Sequence, residues 1–207
     1  EAVHQAAAHG RETGGTIVSD TSWEGYDEIP RWIMAGYTQV FEEAFSQWDS
    51  RPSLVVVQGG VGGLVCAAAS WLAWRFGADR PLLVAAEPDG AACLLESAVA
   101  GRAVTIRGTL TTIMAGLRCA EPSPAAWPTI ASGVDAFVSV PDSEVLEAIA
   151  MLKDGPEEER IDAGPSGACG LAALAALVRA PELAEVRAGF ALDWGRARCM
   201  VIVTQGV

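Results

Sequence analysis

Positive charge is scarce in this chain of 207 residues, which has 14 lysines and arginines against 26 acidic residues and a net charge of −12. A balance this acidic argues against binding to nucleic acid or to anionic membranes and favours a small-molecule ligand. Apolar runs are also short, well below the ~20 residues of a membrane-spanning helix. No signal-peptide pattern opens the sequence. We therefore expect a cytoplasmic protein with neither nucleic acid nor membrane as a partner.

Metal-ligating residues are few as well. The chain has two histidines, and its five cysteines show no CxxC spacing, so the sequence predicts no metal site. An odd number of cysteines is typical of a reducing compartment. The single lysine, Lys153, ends a predicted helix beside Asp154, Gly155 and Pro156, where we expect it to be exposed. Because a catalytic lysine needs a desolvated pocket, Lys153 is not expected to be one.

Strand and helix patterns alternate along the chain. Short apolar, β-branched runs predict strands at residues 16–19, 54–57, 81–86, 136–140 and 199–203. Apolar stripes and small-residue runs predict helices at residues 1–10, 31–48, 63–76, 90–98, 144–153, 164–178 and 181–190. This alternation predicts an α/β fold, a three-layer parallel sheet with helices on both faces. We expect residues 1–207 to form a single domain of this kind.

A dense glycine turn follows the second predicted strand. It consists of Gly59, Gly60, Val61, Gly62 and Gly63. Such a turn leaves backbone N–H groups unpaired at a helix N-terminus, where they bind anions and most often phosphate. Three interpretations are open: a dinucleotide site, a cup for a cofactor with one phosphate such as pyridoxal phosphate, and a turn without a ligand. Glu87 suits a dinucleotide site, but Val65 replaces the third glycine of that motif.

Two further polar residues each have more than one interpretation. Asp20 ends the predicted strand 16–19, and open α/β sheets bind their ligands at that end. Asp20 is therefore either a general base or a group that orients an amine, or else the cap of the loop that follows. Ser166 opens a second glycine-rich helix, where it either donates to an anion or caps the helix.

Five motifs then occur in a fixed order: DTSWEGYDEIPRWIMAGY (20–37), VQGGVGGL (57–64), VAAEPD (84–89), TIMAGLRCAEPSP (112–124) and GPSGACGL (164–171). Together they resemble the second half of the diaminopropionate ammonia-lyases, pyridoxal-phosphate enzymes of the tryptophan synthase β type, over residues 15–206. The resemblance implies the large domain of the fold type II enzymes, pyridoxal 5'-phosphate as cofactor and a homodimer. It also implies α,β-elimination of an amino acid substrate, 2,3-diaminopropionate, to pyruvate and ammonia.

The resemblance implies roles for individual residues. Backbone N–H groups of the turn hold the cofactor phosphate, namely those of Gly59, Gly60, Val61, Gly62 and Gly63. Asp20 matches an acidic residue near the substrate amines, where a carboxylate favours ammonium groups. Thr204 matches the threonine of the family's closing strand and is a candidate to face the pyridine nitrogen. Cys93 and Cys119 match a cysteine pair, so that a disulfide and two free thiols are both open.

Parts of the family's pattern are changed or absent in this chain. Pro165 stands where the family carries an acidic residue, and Gln205 departs from the family's closing strand. The lysine that binds the cofactor, an asparagine-containing loop and a second catalytic aspartate belong to an N-terminal half that this sequence lacks. We therefore expect a domain truncated on its N-terminal side and inactive alone. Another fold type II lyase or dehydratase, acting on serine, threonine or cysteine, and a non-catalytic fragment are the alternatives.

Overall fold

Four parallel strands form the sheet, as shown by a computed structural model that describes residues 2–206 without the side chains of residues 2–4 and 11. The strands are β1 (Leu54–Gln58), β2 (Leu82–Pro88), β3 (Ala136–Val140) and β4 (Cys199–Val201). The α-helices are α1 (Ala2–Thr13), α2 (Glu28–Ser46), α3 (Gly63–Phe76), α4 (Cys93–Ala100), α5 (Trp127–Gly133), α6 (Asp142–Lys153), α7 (Pro165–Arg179) and α8 (Ala184–Gly189). The strand order is β3-β2-β1-β4.

Both faces of the sheet are covered. All five residues of β1 are buried, as expected for a parallel strand between two helix layers. Val55 and Val57 belong to one apolar core together with residues of α2, α3 and α5. Leu54 and Val56 belong to the core on the opposite face, with residues of α6 and α7. The predicted three-layer arrangement is therefore confirmed.

The strand order creates a crevice at one end of β1. From β1 the chain adds β2 and then β3 on one side, and it returns at its end to place β4 on the other side. Helices that leave neighbouring strands on opposite faces open a gap at the carboxyl ends of those strands, where α/β proteins bind ligands. The carboxyl ends of β1 and β4 flank this gap, with Gln58 ending β1 and Thr204 following β4.

The strand predicted at residues 16–19 does not form. No neighbouring strand pairs with this segment within the described residues, and its polar backbone is bound locally instead. The Tyr26 hydroxyl accepts a hydrogen bond from the Ser19 N–H and donates to the Ile17 carbonyl oxygen, both at 2.9 Å. Asp20 consequently lies in a loop rather than at the end of a strand.

Two details of the helices also differ from the sequence prediction. α5 is absent from the predicted helices; Pro128 lies in its first turn, where a proline costs no hydrogen bond. α6 begins without a side-chain cap, although Asp142 and Ser143 at its start are of the types that often cap helices. Asp142 accepts hydrogen bonds from the Thr112 hydroxyl and the Ile113 N–H instead, which fixes the loop after residue 111.

Among the described helices, none is by itself long and apolar enough to cross a membrane. The pair formed by residues 165–179 and 181–189, bent by 81°, meets the requirement on length and composition alone.

Candidate functional site

The glycine loop, residues 59–63, joins β1 to α3 and is shaped by residues without side chains. Gly62 has a φ of 93°, in the left-handed region that favours glycine. A Cβ atom at Gly60 would lie 2.9 Å from the Cys119 sulfur and 3.3 Å from the Gly116 carbonyl oxygen. The loop therefore presents bare backbone at the N-terminus of α3, where free N–H groups and the helix dipole favour an anion.

A cavity of about 520 Å³ opens beside the glycine loop. It is lined by Asp20, Thr21, Tyr37, Val40, Gln58, Gly60, Val61, Gly62, Gly63, Leu64, Gly116, Leu117, Cys119 and Thr204. The structure thus brings together Asp20, Thr204 and all of the predicted phosphate-binding residues except Gly59. Gly59 lies outside the lining, and its N–H donates to the Ala86 carbonyl oxygen at 2.8 Å.

Gln58 and Thr204 form a polar pair in the wall of the cavity. The Gln58 side-chain amide donates a hydrogen bond to the Thr204 hydroxyl oxygen at 2.5 Å. The amide oxygen of Gln58 is buried and has no hydrogen-bond partner among the described residues. A buried acceptor without a donor is costly, so this oxygen is a candidate contact for a polar group of a ligand. Sequence reasoning did not assign Gln58, although a polar residue ending an apolar strand was an available signal.

Asp20 reaches the cavity from a compact loop, residues 17–26, which we name the Asp20 segment. The rings of Trp23 and Tyr26 stack with centroids 4.0 Å apart, and the two residues exchange a pair of backbone hydrogen bonds. The two aromatic residues thus fold the loop onto itself. The Asp20 segment is therefore held in shape by its own residues.

Tyr37 is a cavity residue that the sequence did not point to as part of the site. Burial, and then the negative charge of Asp20, raise the pKa of the Tyr37 hydroxyl above its ordinary value, so this group stays protonated at neutral pH. A Cβ atom at Gly63 would lie 3.5 Å from the Tyr37 ring, which places the ring beside the start of α3. The cavity thus combines an anion-binding backbone, a neutral hydroxyl and a carboxylate.

Gln205 contacts the start of α7 through both its side chain and its backbone. The Gln205 side-chain oxygen accepts the Ser166 N–H at 3.0 Å, and its backbone oxygen accepts the Gly164 N–H at 2.8 Å. Pro165 occupies the first helical position, where no N–H is needed. The Ser166 hydroxyl accepts the Gly116 N–H at 3.1 Å, so the prediction that it caps α7 is wrong.

All five cysteines are free thiols. The Cys93 thiol lies 3.5 Å from the Gly60 carbonyl oxygen, to which it donates. Burial raises the pKa of Cys93, and it raises the pKa of Cys119 to about 11, so neither thiol is a nucleophile at neutral pH. Among the side chains that the structure describes, no three metal-ligating groups are placed to share an ion.

We predict that alkylation of the unfolded chain without reductant modifies all five cysteines, because the structure holds them as thiols. The mass of the intact alkylated protein provides the count. A chain that takes up fewer labels until it is reduced would contradict the structure, and peptide mapping would show whether Cys93 and Cys119 are the pair.

Lys153 is exposed, as predicted, and it lies outside the cavity lining. Its ammonium group pairs with Asp162 at 2.7 Å, and about half of its side chain is exposed. An exposed ammonium group that pairs with a surface carboxylate lacks the desolvated surroundings that a catalytic amine needs.

A parallel sheet with a glycine loop and a cavity at the carboxyl end of its central strand defines an α/β protein that binds a phosphate-bearing ligand. The family described as "Pyridoxal-phosphate dependent enzyme" matches residues 1–192, and the chain belongs to this family. The cofactor of this family is pyridoxal phosphate. The glycine loop and the unpartnered oxygen of Gln58 fit a ligand that brings a phosphate group and further polar atoms.

Individual relatives agree with this assignment. The chain is 34% identical to diaminopropionate ammonia-lyase of Escherichia coli (strain K12) over 210 residues, which cover 100% of this chain and 52% of that protein. It is 34% identical to serine racemase of Arabidopsis thaliana over 142 residues, 69% of this chain and 40% of that protein. The chain therefore spans about half the length of the curated relatives it matches.

A crystal structure of the Escherichia coli ammonia-lyase, in complex with an aminoacrylate-PLP azomethine reaction intermediate, has the same fold. The TM-score is 0.87 at 34% identity, covering 99% of this chain and 52% of that one. The predicted fold type II architecture is confirmed.

Proposed function

We propose that the cavity binds pyridoxal 5'-phosphate with its phosphate group on the glycine loop. The support is geometric: Gly60, Val61, Gly62 and Gly63 line the cavity, and α3 begins at the loop. Their backbone N–H groups hold the phosphate, and the α3 dipole adds a favourable positive end. Because the N–H of Gly59 is already bonded, Gly59 contributes by packing rather than by donating to the phosphate.

Thr204 and Gln58 hold the polar edge of the cofactor ring in this proposal. The Thr204 oxygen accepts a hydrogen bond from the Gln58 amide, so the hydroxyl proton remains available for a ring acceptor. The unpartnered Gln58 oxygen is available to a donor of the ligand or to a bound water.

We propose 2,3-diaminopropionate as the substrate, cleaved by α,β-elimination to pyruvate and two molecules of ammonia. The single observation that supports this choice is the position of Asp20, a carboxylate in the same cavity as the phosphate site. A carboxylate there attracts the second ammonium group of a diamine, which a hydroxy amino acid lacks. The similarity to a diaminopropionate ammonia-lyase supports the same substrate.

Each residue has a stated task in this reaction. When bound, pyridoxal phosphate supplies the electron sink that acidifies the Cα–H bond of an amino acid. Asp20 orients the departing amino group, and Tyr37, protonated at neutral pH, donates a hydrogen bond inside the cavity. Because Lys153 lies outside the cavity lining, the amine that moves the Cα proton comes from outside these 207 residues. The chain alone is accordingly expected to be inactive.

Replacement of Asp20 by asparagine tests the proposal. In an enzyme that contains this chain and the family's lysine, Asp20→Asn should lower kcat/KM for 2,3-diaminopropionate roughly 10- to 100-fold, the worth of a hydrogen bond to a charged group. The kcat/KM for serine should change far less. Initial rates of pyruvate formation from both substrates measure the difference.

Asp27→Asn is the matched control, because Asp27 pairs with Arg31 on the surface and lies outside the cavity lining. Equal losses for the diamine and for serine in Asp20→Asn would contradict a role of Asp20 in recognising the second amine.

Serine turnover is the second candidate function, since the chain also resembles a serine racemase. A preference for serine over the diamine, with no effect of Asp20→Asn, would favour it. Detection of neither reaction in the presence of the lysine-bearing half would favour a non-catalytic fragment.

We further propose that residues 1–207 form one domain of a cytoplasmic homodimer active in amino acid catabolism. Sequence resemblance to the ammonia-lyases supports the assembly, and the two helix layers over one sheet support the single domain. Sedimentation analysis of the enzyme measures the oligomeric state.

A further inference from the structure

Two buried serine hydroxyls meet next to the cavity. Ser22 and Ser123 are 101 positions apart in the sequence, and their side-chain oxygens lie 2.9 Å apart. Ser123 is fully buried and Ser22 is 4% exposed. Neither residue lines the cavity, and neither has a task in the proposed reaction.

The pair closes a continuous network of hydrogen bonds. The Ser123 hydroxyl oxygen accepts the Ser22 N–H at 3.0 Å, and the Ser22 hydroxyl oxygen accepts the Ala125 N–H at 2.8 Å. The Ser123 N–H donates to the carbonyl oxygen of Val61, in the glycine loop, at 2.8 Å. A single residue, Ser123, thus contacts the glycine loop through its backbone and the Asp20 segment through its side chain.

This network is the hydrogen-bonded attachment of the Asp20 segment. Every other hydrogen bond found for residues 17–26 in the described part of the chain stays within the segment, as those of Tyr26 do. The segment also lacks a strand partner that would fix it to the sheet. Beyond its covalent connection to α2, the segment is therefore fixed relative to the glycine loop by the hydrogen bonds of Ser22 and Ser123.

We infer that Ser22 and Ser123 are positioning residues that hold Asp20 at a fixed place relative to the phosphate-binding loop. The inference rests on the proposed function, in which Asp20 and the loop act on one ligand. Because Ser123 contacts Val61 as well as Ser22, ordering of the loop by a phosphate group is transmitted to the Asp20 segment. Truncation of the Ser123 side chain leaves the buried N–H of Ser22 without a partner, which is expensive.

Hydrogen exchange of the 207-residue chain, read by mass spectrometry, tests the inference first without ligand. Ser123→Ala should raise exchange in peptides from residues 20–26 roughly 10- to 100-fold and leave the peptides of β1 unchanged. Ser22→Ala should have a smaller effect, since the Ser22 N–H keeps its acceptor. The control is Ser132→Ala, because the Ser132 hydroxyl bonds only carbonyl oxygens near its own helix.

A second arm adds pyridoxal 5'-phosphate. If the two serines had a purely structural role, Ser123→Ala would not change how cofactor binding protects residues 20–26 from exchange. In the unchanged chain the cofactor should slow exchange in peptides from both the glycine loop and residues 20–26. In Ser123→Ala the protection of the loop should remain while that of residues 20–26 is lost. Retention of both protections in Ser123→Ala, or an unchanged first arm, would overturn the inference. Absence of loop protection in the unchanged chain would count against the proposed cofactor site. The first arm contains no cofactor, so it tests the role of the serines independently of that site.

Discussion

Gly62→Ala should weaken the binding of pyridoxal 5'-phosphate to this chain roughly 10- to 100-fold, the factor that corresponds to the strain of a side chain in a disfavoured backbone conformation. Gly62 has a φ of 93°, and a Cβ atom there would overlap the Ile130 side chain and lie 3.3 Å from that of Leu94. The loop must then shift, and the N–H groups at the start of α3 no longer converge on one anion. Isothermal titration measures the affinity.

Gly101→Ala is the matched control for this substitution. Gly101 has a φ of 66° at the end of α4, and a Cβ atom there meets no neighbouring atom within 4 Å. Alanine at this position carries a similar backbone strain without a clash and away from the cavity, so cofactor affinity should stay unchanged. Equal affinities of Gly62→Ala and the unchanged chain would show that the glycine loop does not hold the phosphate.

Glu87→Gln should remove most of the pH dependence of stability between about pH 4.5 and 7, the ordinary and the raised pKa of Glu87. Glu87 is fully buried at the end of β2, and burial raises its pKa even though its carboxylate accepts N–H bonds from Leu94 and Leu95 at 2.8 Å each. The folded state therefore binds a proton that the unfolded state releases over this range. Protonated Glu87 stabilises the fold at low pH, and this contribution is lost as the pH rises through about 7.

Urea unfolding as a function of pH measures this effect. The free energy of unfolding of the unchanged chain should fall by a contribution on the order of 3 kcal/mol across the range, a fall that Glu87→Gln lacks. The quantity to compare is the slope of the free energy of unfolding against pH. The absolute free energies also differ because glutamine loses one of the two backbone hydrogen bonds that the Glu87 carboxylate accepts. Glu185→Gln, at an exposed carboxylate, is the control. A parallel pH dependence in Glu87→Gln would contradict a proton held by the buried carboxyl group.

The glycine loop and the helix after it could be predicted because their signals are local. A β-branched run, a glycine turn and a run of small residues are adjacent in the sequence, and α3 forms over residues 63–76 as the pattern indicates. The alternation of elements likewise sufficed to predict the parallel sheet with two helix layers.

The position of Asp20 could not be predicted by the same reasoning. Asp20 was expected at the end of a strand that does not form, and it reaches the cavity because Tyr26 folds the loop and because Ser22 contacts Ser123. Ser22 and Ser123 each look like ordinary turn residues, and nothing local in the sequence links them. The contact between Gln58 and Thr204 could not be predicted for the same reason, since it joins the end of β1 to the residues that follow β4, and these two strands are neighbours only in the folded sheet.

The account depends most on the claim that the glycine loop binds the phosphate group of the cofactor. Titration of the 207-residue chain with pyridoxal 5'-phosphate and, in parallel, with pyridoxal isolates that group, because the two ligands differ only in the phosphate. We predict that pyridoxal 5'-phosphate binds and that pyridoxal binds at least roughly 100-fold more weakly, as expected for loss of several charge-assisted hydrogen bonds. Equal affinities for the two ligands, or no binding of either, would contradict the account.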